Sequence, residues 1–164
     1  IALRPCRDGQ RWNFDGVVIR VLRPPVQDAK GTKSNDQSCV VLVEGQGGRL
    51  LLTGDISETT EPAIARMLDR GDPRPLMLSV PHHGSNRSSS QAFIRALQPS
   101  MAIASAGWLS RFGHPHPLVV KRYADAGIPL LNTANSGALM IHVAVDGTFD
   151  VVKQRERRRA YWRE

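Results

Sequence analysis

The sequence predicts one α/β layered domain. Apolar segments of strand length alternate with segments of helical periodicity, and three polar clusters bearing histidine or aspartate each follow an apolar strand. The 164 residues can bury one core and fall short of two ordinary domains. With 41% hydrophobic and 23% charged residues, disordered and collagen-like classes are excluded. No apolar run approaches the ~20 residues that a membrane-spanning helix needs. The opening Ile-Ala-Leu-Arg-Pro-Cys lacks the apolar core of a signal peptide. A start without Met, with strand-like sequence soon after it, suits a segment of a longer protein whose targeting information lies upstream.

Taken in order, Gly16 to Leu22 (GVVIRVL) is β-branched and stops at Pro24-Pro25, which makes it a strand followed by a break. Val26 to Ser38 is polar and aperiodic, hence a surface loop or the cover of a site. Cys39 to Glu44 and Arg49 to Thr53 flank Gly45-Gln46-Gly47-Gly48, the mark of a hairpin. Beyond Asp55 an amphipathic helix is predicted by the spacing of Ile64, Met67 and Leu68. Glu58 and Glu61 come early in it, Pro62 lies in the first turn and Gly71 marks the end. Leu76 to Val80 is a short buried strand, and Gln91 to Leu97 a helix capped by Ser89 or Ser90 and stopped by Pro99. There follow a strand over Met101 to Ser105, a loop over Gly107 to Pro117 and a helix over Leu118 to Ala126 closed by Gly127. Strands are placed near Pro129 to Asn132, Ala138 to Val143 and Phe149 to Val152. The domain then covers residues 1–152, with 153–164 as a basic tail, and no internal repeat is present.

A net charge of +7 and a pI near 10.2 favour polyanionic partners, nucleic acid or an anionic membrane surface. The stretch Lys153 to Arg163 holds six basic residues against Glu156 alone, so a solvated tail competes with a binding surface as the reason. Cys6 and Cys39 form neither a zinc knuckle nor a C-x-x-C pair. They are buried free thiols or, in an oxidising compartment, a bridge worth roughly 3 to 4 kcal/mol.

The chemistry is concentrated in Thr53-Gly54-Asp55, Pro81-His82-His83-Gly84-Ser85 and Gly113-His114-Pro115-His116-Pro117, at the strand ends where α/β sheets build sites. Carboxylate and imidazole are the ligands that borderline divalent metals take, and a neighbouring glycine permits the turn that aims each side chain. Each cluster also has a plainer reading: Asp55 as a helix cap, His82 and His83 as a surface pair, and His114 and His116 as one cap and one exposed ring. His142, inside an alternating strand, reads as structural. Because four of the five histidines fall in two such loops, a shared site accounts for them better than scatter.

LLTGD at Leu51 to Asp55, VPHHGS at Val80 to Ser85 and FGHPHP at Phe112 to Pro117 resemble the later motifs of ComEC-type competence proteins. SNDQSCVV at Ser34 to Val41 is similar to that family's N-x-x-S turn. The resemblance covers almost the whole chain. It implies the C-terminal half of a metallo-β-lactamase αββα sandwich, with mixed sheets between outer helices and one or two divalent ions, Zn or Mn, at the sheet edge. It also implies Asp55, His83 and His114 as metal ligands, with His82 the alternative to His83 and His116 the alternative to His114, and His82 or His114 as proton donor to a leaving oxygen. Lys33, Asn35, Ser85, Arg87 and Arg111 would hold substrate. The implied activity is hydrolysis of incoming DNA, single-stranded or the strand being degraded, by a domain of an inner-membrane parent outside the cytoplasm. That setting would suit a Cys6 to Cys39 bridge.

The chain departs from the family pattern at one point. The early H-x-H-x-D-H-type cluster that supplies most ligands is missing, since every histidine lies at or after position 82. This piece is then expected to carry part of a site, to be inactive alone, and to leave apolar surface for the rest of the parent or for self-association. Two other functions compete: a metal-free module that docks or holds DNA, and a small ester or thioester hydrolase.

Overall fold

The computed structural model describes residues 5–23, 34–69 and 71–157. Nine strands are described: β1 (Arg11–Phe14), β2 (Val17–Arg23), β3 (Val40–Glu44), β4 (Arg49–Leu52), β5 (Leu76–Ser79), β6 (Met101–Ala104), β7 (Leu130–Asn132), β8 (Leu139–Val143) and β9 (Phe149–Lys153). The helices are α1 (Glu61–Met67), α2 (Gln91–Leu97), α3 (Pro117–Asp125), α4 (Thr133–Ser136) and α5 (Gln154–Arg157). Short 3-10 turns cover Ser34–Gln37 and Pro81–Gly84.

The first seven strands form one sheet in sequence order, antiparallel from β1 to β4 and parallel from β4 to β7. A parallel step needs a crossover, and α1, α2 and α3 provide the three that are required. Crossovers of one hand, stepping across the sheet in one direction, place all three helices on one face. There Ile64, Ala65 and Leu68 of the first crossover pack with Phe93, Ile94, Val119 and Tyr123 against Leu42, Leu51, Leu78 and Ala102 of the sheet. This is the mixed α/β layered fold that the alternation predicted.

The opposite face carries a second apolar row. Successive register partners Trp12, Ile19, Val43, Leu50, Met77 and Met101 stand abreast across six strands. The hairpin of β8 and β9 covers one end of that face, its backbone so close to Gly47 that a Cβ there would fall 1.7 Å from the Ala144 carbonyl oxygen. Ile141, Val143 and Val145 from this side and Val43, Leu50 and Met77 from the sheet enclose a groove of about 530 Å³. Phe14 and Leu52 remain largely exposed.

Cys6 and Cys39 are joined as a disulfide, which resolves the alternatives that their spacing left open. One strand, β1, went unpredicted, and the basic tail opens as α5 before leaving the described residues at 158. The segment 24–33, with Lys33, also lies outside them. Among the described residues no helix is long and apolar enough to cross a membrane.

Candidate functional site

Parallel strands point their C-terminal ends the same way, so the loops after β4, β5 and β6 emerge along one sheet edge. The antiparallel β3 begins at that edge and brings Asn35 and Ser38 with it. Backbone hydrogen bonds then join the loops: His82 N–H donates to the Gly54 carbonyl (3.0 Å) and His116 N–H to the Gly84 carbonyl (2.8 Å). Ser38 Oγ accepts from the Asp55 amide at 3.0 Å, and Thr53 Oγ1 donates to the Ser79 carbonyl at 2.8 Å. Asp55, His82, His83, His114, Ser85 and Asn35 are thereby brought to one rim.

His82 and His83 lie in the left-handed region, with φ of 50° and 55°, and Gly84 follows at 88°. Each non-glycine residue there costs about 1 kcal/mol, a strain that persists only where the surroundings enforce it. The turn aims His83 at Asp55, with Nε2 3.6 Å from Oδ1. Its Nδ1 lies 2.8 Å from the Ser105 carbonyl oxygen. A carbonyl only accepts, so Nδ1 carries a proton, and Nε2 is the nitrogen left facing the carboxylate, where a proton or a cation can sit between them. Two ligands of a tetrahedral zinc ion stand about 3.3 Å apart, so the pair fits a borderline divalent ion.

His114 meets the same rim from the third loop, its ring edge-on to His82 with centroids 6.3 Å apart. Its Nδ1 is buried without a hydrogen-bond partner. Burial, reinforced by His82, His83 and His116, holds its pKa below the usual histidine value. His116 serves the helix instead, since its Nδ1 accepts from Leu118 N–H at 3.2 Å and caps α3. Among the described residues no group of three or more His, Cys, Asp and Glu side chains is disposed to hold a metal ion. His142 is exposed on β8, opposite Asp150 and away from the rim.

Asn35 Nδ2 lies 3.5 Å from His82 Nε2. Arg87 and Arg111 are exposed, and the Arg111 guanidinium covers the Phe112 ring at 4.8 Å. Asp55 does not cap the following helix, whose N-cap is Thr60. Asp36 organises that turn instead, accepting from Ser57 N–H and from the hydroxyls of Ser57, Thr59 and Thr60. Burial alone would raise the Asp36 pKa, but these donors hold it below the usual range. Sequence reasoning also missed Ser38, the Ser105 carbonyl and Glu61. The last is fully buried and accepts the amides of Ser89 and Ser90, anchoring the far end of the His82–His83 loop. A serine just before a strand and a glutamate in a helical first turn are too common to single these residues out.

The chain is therefore a mixed α/β domain with a polar, histidine-bearing rim. Its similarities point to proteins of bacterial competence. Competence protein ComA of Neisseria gonorrhoeae is 38% identical over 144 residues, 88% of this chain and 20% of that protein. Recombination protein 2 of Haemophilus influenzae is 32% identical over 86% of the chain and 17% of its own length. ComE operon protein 3 of Bacillus subtilis is 30% identical over 92% and 19%. The chain spans about a fifth of the length of these relatives. No protein-family model matches it.

These matches correct the assignment drawn from the motifs, to the metallo-β-lactamase-like half-domain of ComEC-type proteins. The relatives are named as a competence protein, a recombination protein and an operon protein, none by that domain. A few short motifs at strand ends describe a rim, and strand ends form rims in many α/β folds.

Proposed function

We propose that this chain contributes one side of a divalent-metal-dependent phosphodiesterase site acting on DNA, within a longer competence protein. The observation that carries the reading is the Asp55–His83 pair, 3.6 Å apart with its imidazole oriented by the Ser105 carbonyl. Asp55 and His83 would hold zinc or manganese, one ion or two, with the remaining ligands from elsewhere in the parent; His114, which makes no three-ligand group with them among the described residues, would stand beside the ion. Such an ion lowers the pKa of bound water and neutralises charge on a phosphoryl group. The chain's own groups do the rest. His82 stands beside the pair and delivers a proton to the leaving oxygen. Ser85, Asn35, Arg87 and Arg111, with Lys33 from the loop before the 3-10 turn, orient phosphate oxygens.

The name of the Neisseria relative supports a role in competence; DNA in transit is the substrate this reading takes. The Cys6–Cys39 disulfide supports a compartment outside the cytoplasm; in this reading the parent would be held in the cell membrane. The open apolar row is covered in the same reading, by the remainder of the parent or, in the isolated chain, by self-association.

The test is nuclease turnover by the full-length parent, supplied with manganese or zinc. Asp55→Ala and His83→Ala are each expected to lower kcat by a hundredfold or more, on the order of 3 kcal/mol of barrier. Turnover that survives either substitution, or a chelator, overturns the proposal.

A further inference from the structure

The turn after β6 presents side chains that the fold does not use. Ser110 N–H donates to the Gly107 carbonyl at 3.3 Å, which places Trp108 and Leu109 at the tip. Leu109 lies in the left-handed region, with φ of 54°, at a turn position that ordinarily takes glycine. It is 86% exposed, the most exposed large hydrophobic side chain among the described residues, and Trp108 beside it is 61% exposed. A strained, uncovered leucine adds nothing to the stability of the fold, so its place at the tip calls for a partner outside it. The charge near the tip is cationic. From Ser105 to Pro117 the chain holds no acidic residue. Arg155 sets its guanidinium 5.1 Å from the Trp108 ring centroid, and it belongs to the stretch Lys153 to Arg163, six basic residues against Glu156 alone.

We propose that Trp108 and Leu109 insert at the surface of an anionic bilayer, with Arg155 and the basic stretch around it on the lipid phosphates. An indole and an aliphatic tip suit the boundary between headgroups and acyl chains, and neighbouring cations add attraction to anionic lipid. Two such signals act together where one alone gives only weak, reversible adsorption. Nucleic acid would also take the cations and the indole, but it offers no hydrocarbon layer for Leu109, the most exposed side chain of the tip. In the same loop Phe112 stacks on His114, with rings 5.9 Å apart and inclined by 17°. Docking of the tip therefore brings the histidine rim to the membrane surface. The proposal goes beyond the phosphodiesterase reading and does not depend on it.

The experiment sediments the chain with vesicles of phosphatidylglycerol and phosphatidylcholine, and with vesicles of phosphatidylcholine alone, in chelator. Binding is expected on the mixed vesicles, roughly tenfold weaker on phosphatidylcholine, and reduced by added salt. Leu109→Gly should lower it roughly tenfold while leaving the urea midpoint unchanged or raised, because glycine suits the left-handed position. Phe14→Ser, on the open face of the sheet, should bind as the parent chain does. In a Trp12→Phe/Trp162→Phe protein Trp108 alone reports, and its emission should shift to the blue and be quenched by lipids brominated on their acyl chains. Absent binding, equal binding to the two kinds of vesicle, an unaltered Leu109→Gly protein or an unquenched Trp108 overturns the proposal. So does a loss on Phe14→Ser as large as that on Leu109→Gly, which would assign the contact to the sheet face. A Trp108 response to an oligothymidylate without one to vesicles overturns it in favour of nucleic acid. Because no turnover is read, the outcome is independent of the nuclease assay: the tip can fail on an active nuclease and hold on an inactive one.

Discussion

Gly84 is the residue on which the rim's geometry turns. A Cβ at this position would lie 2.5 Å from Pro115 Cβ and 2.9 Å from Pro115 Cα. Neither loop can retreat, since the Gly84 carbonyl accepts the His116 amide at 2.8 Å. Its φ of 88° adds a penalty for any L side chain. Gly84→Ala is therefore expected to cost about 2 to 4 kcal/mol, the sum of left-handed strain and overpacking. Gly113 provides the control: its φ is 61°, but a Cβ added there would meet nothing within 4 Å, so Gly113→Ala should lose only about 1 kcal/mol. Urea unfolding of both variants checks this, and equal midpoints would refute the role of the contact. The clusters themselves were legible as strand-end loops, because strand ends can be read from where apolar runs stop. Which histidine of each pair does what was not. His83 rather than His82 faces Asp55 because of two left-handed residues and one backbone carbonyl, and His116 rather than His114 caps α3 because of a ring orientation.

At the scale of elements, β-branched runs and helical spacing placed eight of the nine strands and the three crossover helices within a few residues. β1 escaped because all four of its residues, Arg-Trp-Asn-Phe, are exposed and show no buried face. Glu61 was read as a first-turn acid favoured by the helix dipole. Burial instead raises its pKa, and it works as the acceptor of two amides across the chain. The join between α1 and β5 depends on charge that no local pattern announces. Buried Arg49 donates to the carbonyls of Asp69, Asp72 and Arg74, and lies 3.5 Å from the Asp72 carboxylate. Hydrogen bonds from Arg74, outweighing burial and aided by the Arg49 charge, lower the Asp72 pKa from 3.8 to about 2. A carboxylate depressed in this way adds stability above its unfolded pKa and loses it as pH falls through the folded one. Asp72→Asn should therefore cost about 2 kcal/mol at neutral pH, with the difference from the parent closing between pH 3.8 and about 2. Unfolding at several pH values measures it, and a difference that does not change with pH would assign the loss to packing.

The whole molecule joins a well-packed parallel half to a lighter antiparallel edge. Helices cover β4 to β7 through their crossovers, whereas β1 is wholly exposed and β2 adds only the buried end Val21–Leu22 to the core, so this edge leans on strand pairing and on the Cys6–Cys39 disulfide. The bridge spans a sequence separation of 33 residues, which includes both edge strands and the segment 24–33. Closing a loop of that size removes unfolded-state entropy worth roughly 3 to 4 kcal/mol. The disulfide also acts on the rim: Cys39 follows Ser38, whose hydroxyl accepts the Asp55 amide and whose Cβ would meet a side chain placed on Gly54 at 2.7 Å. Loss of the bridge should thus destabilise the fold and loosen the Asp55–His83 pair together. Cys6→Ser/Cys39→Ser is expected to unfold at lower urea by that margin, and its backbone amides from residue 39 through 55 should exchange faster than those of β5 and β6. Uniform exchange across the sheet, or an unchanged midpoint, would show that pairing alone holds the edge and that the rim does not depend on the bridge.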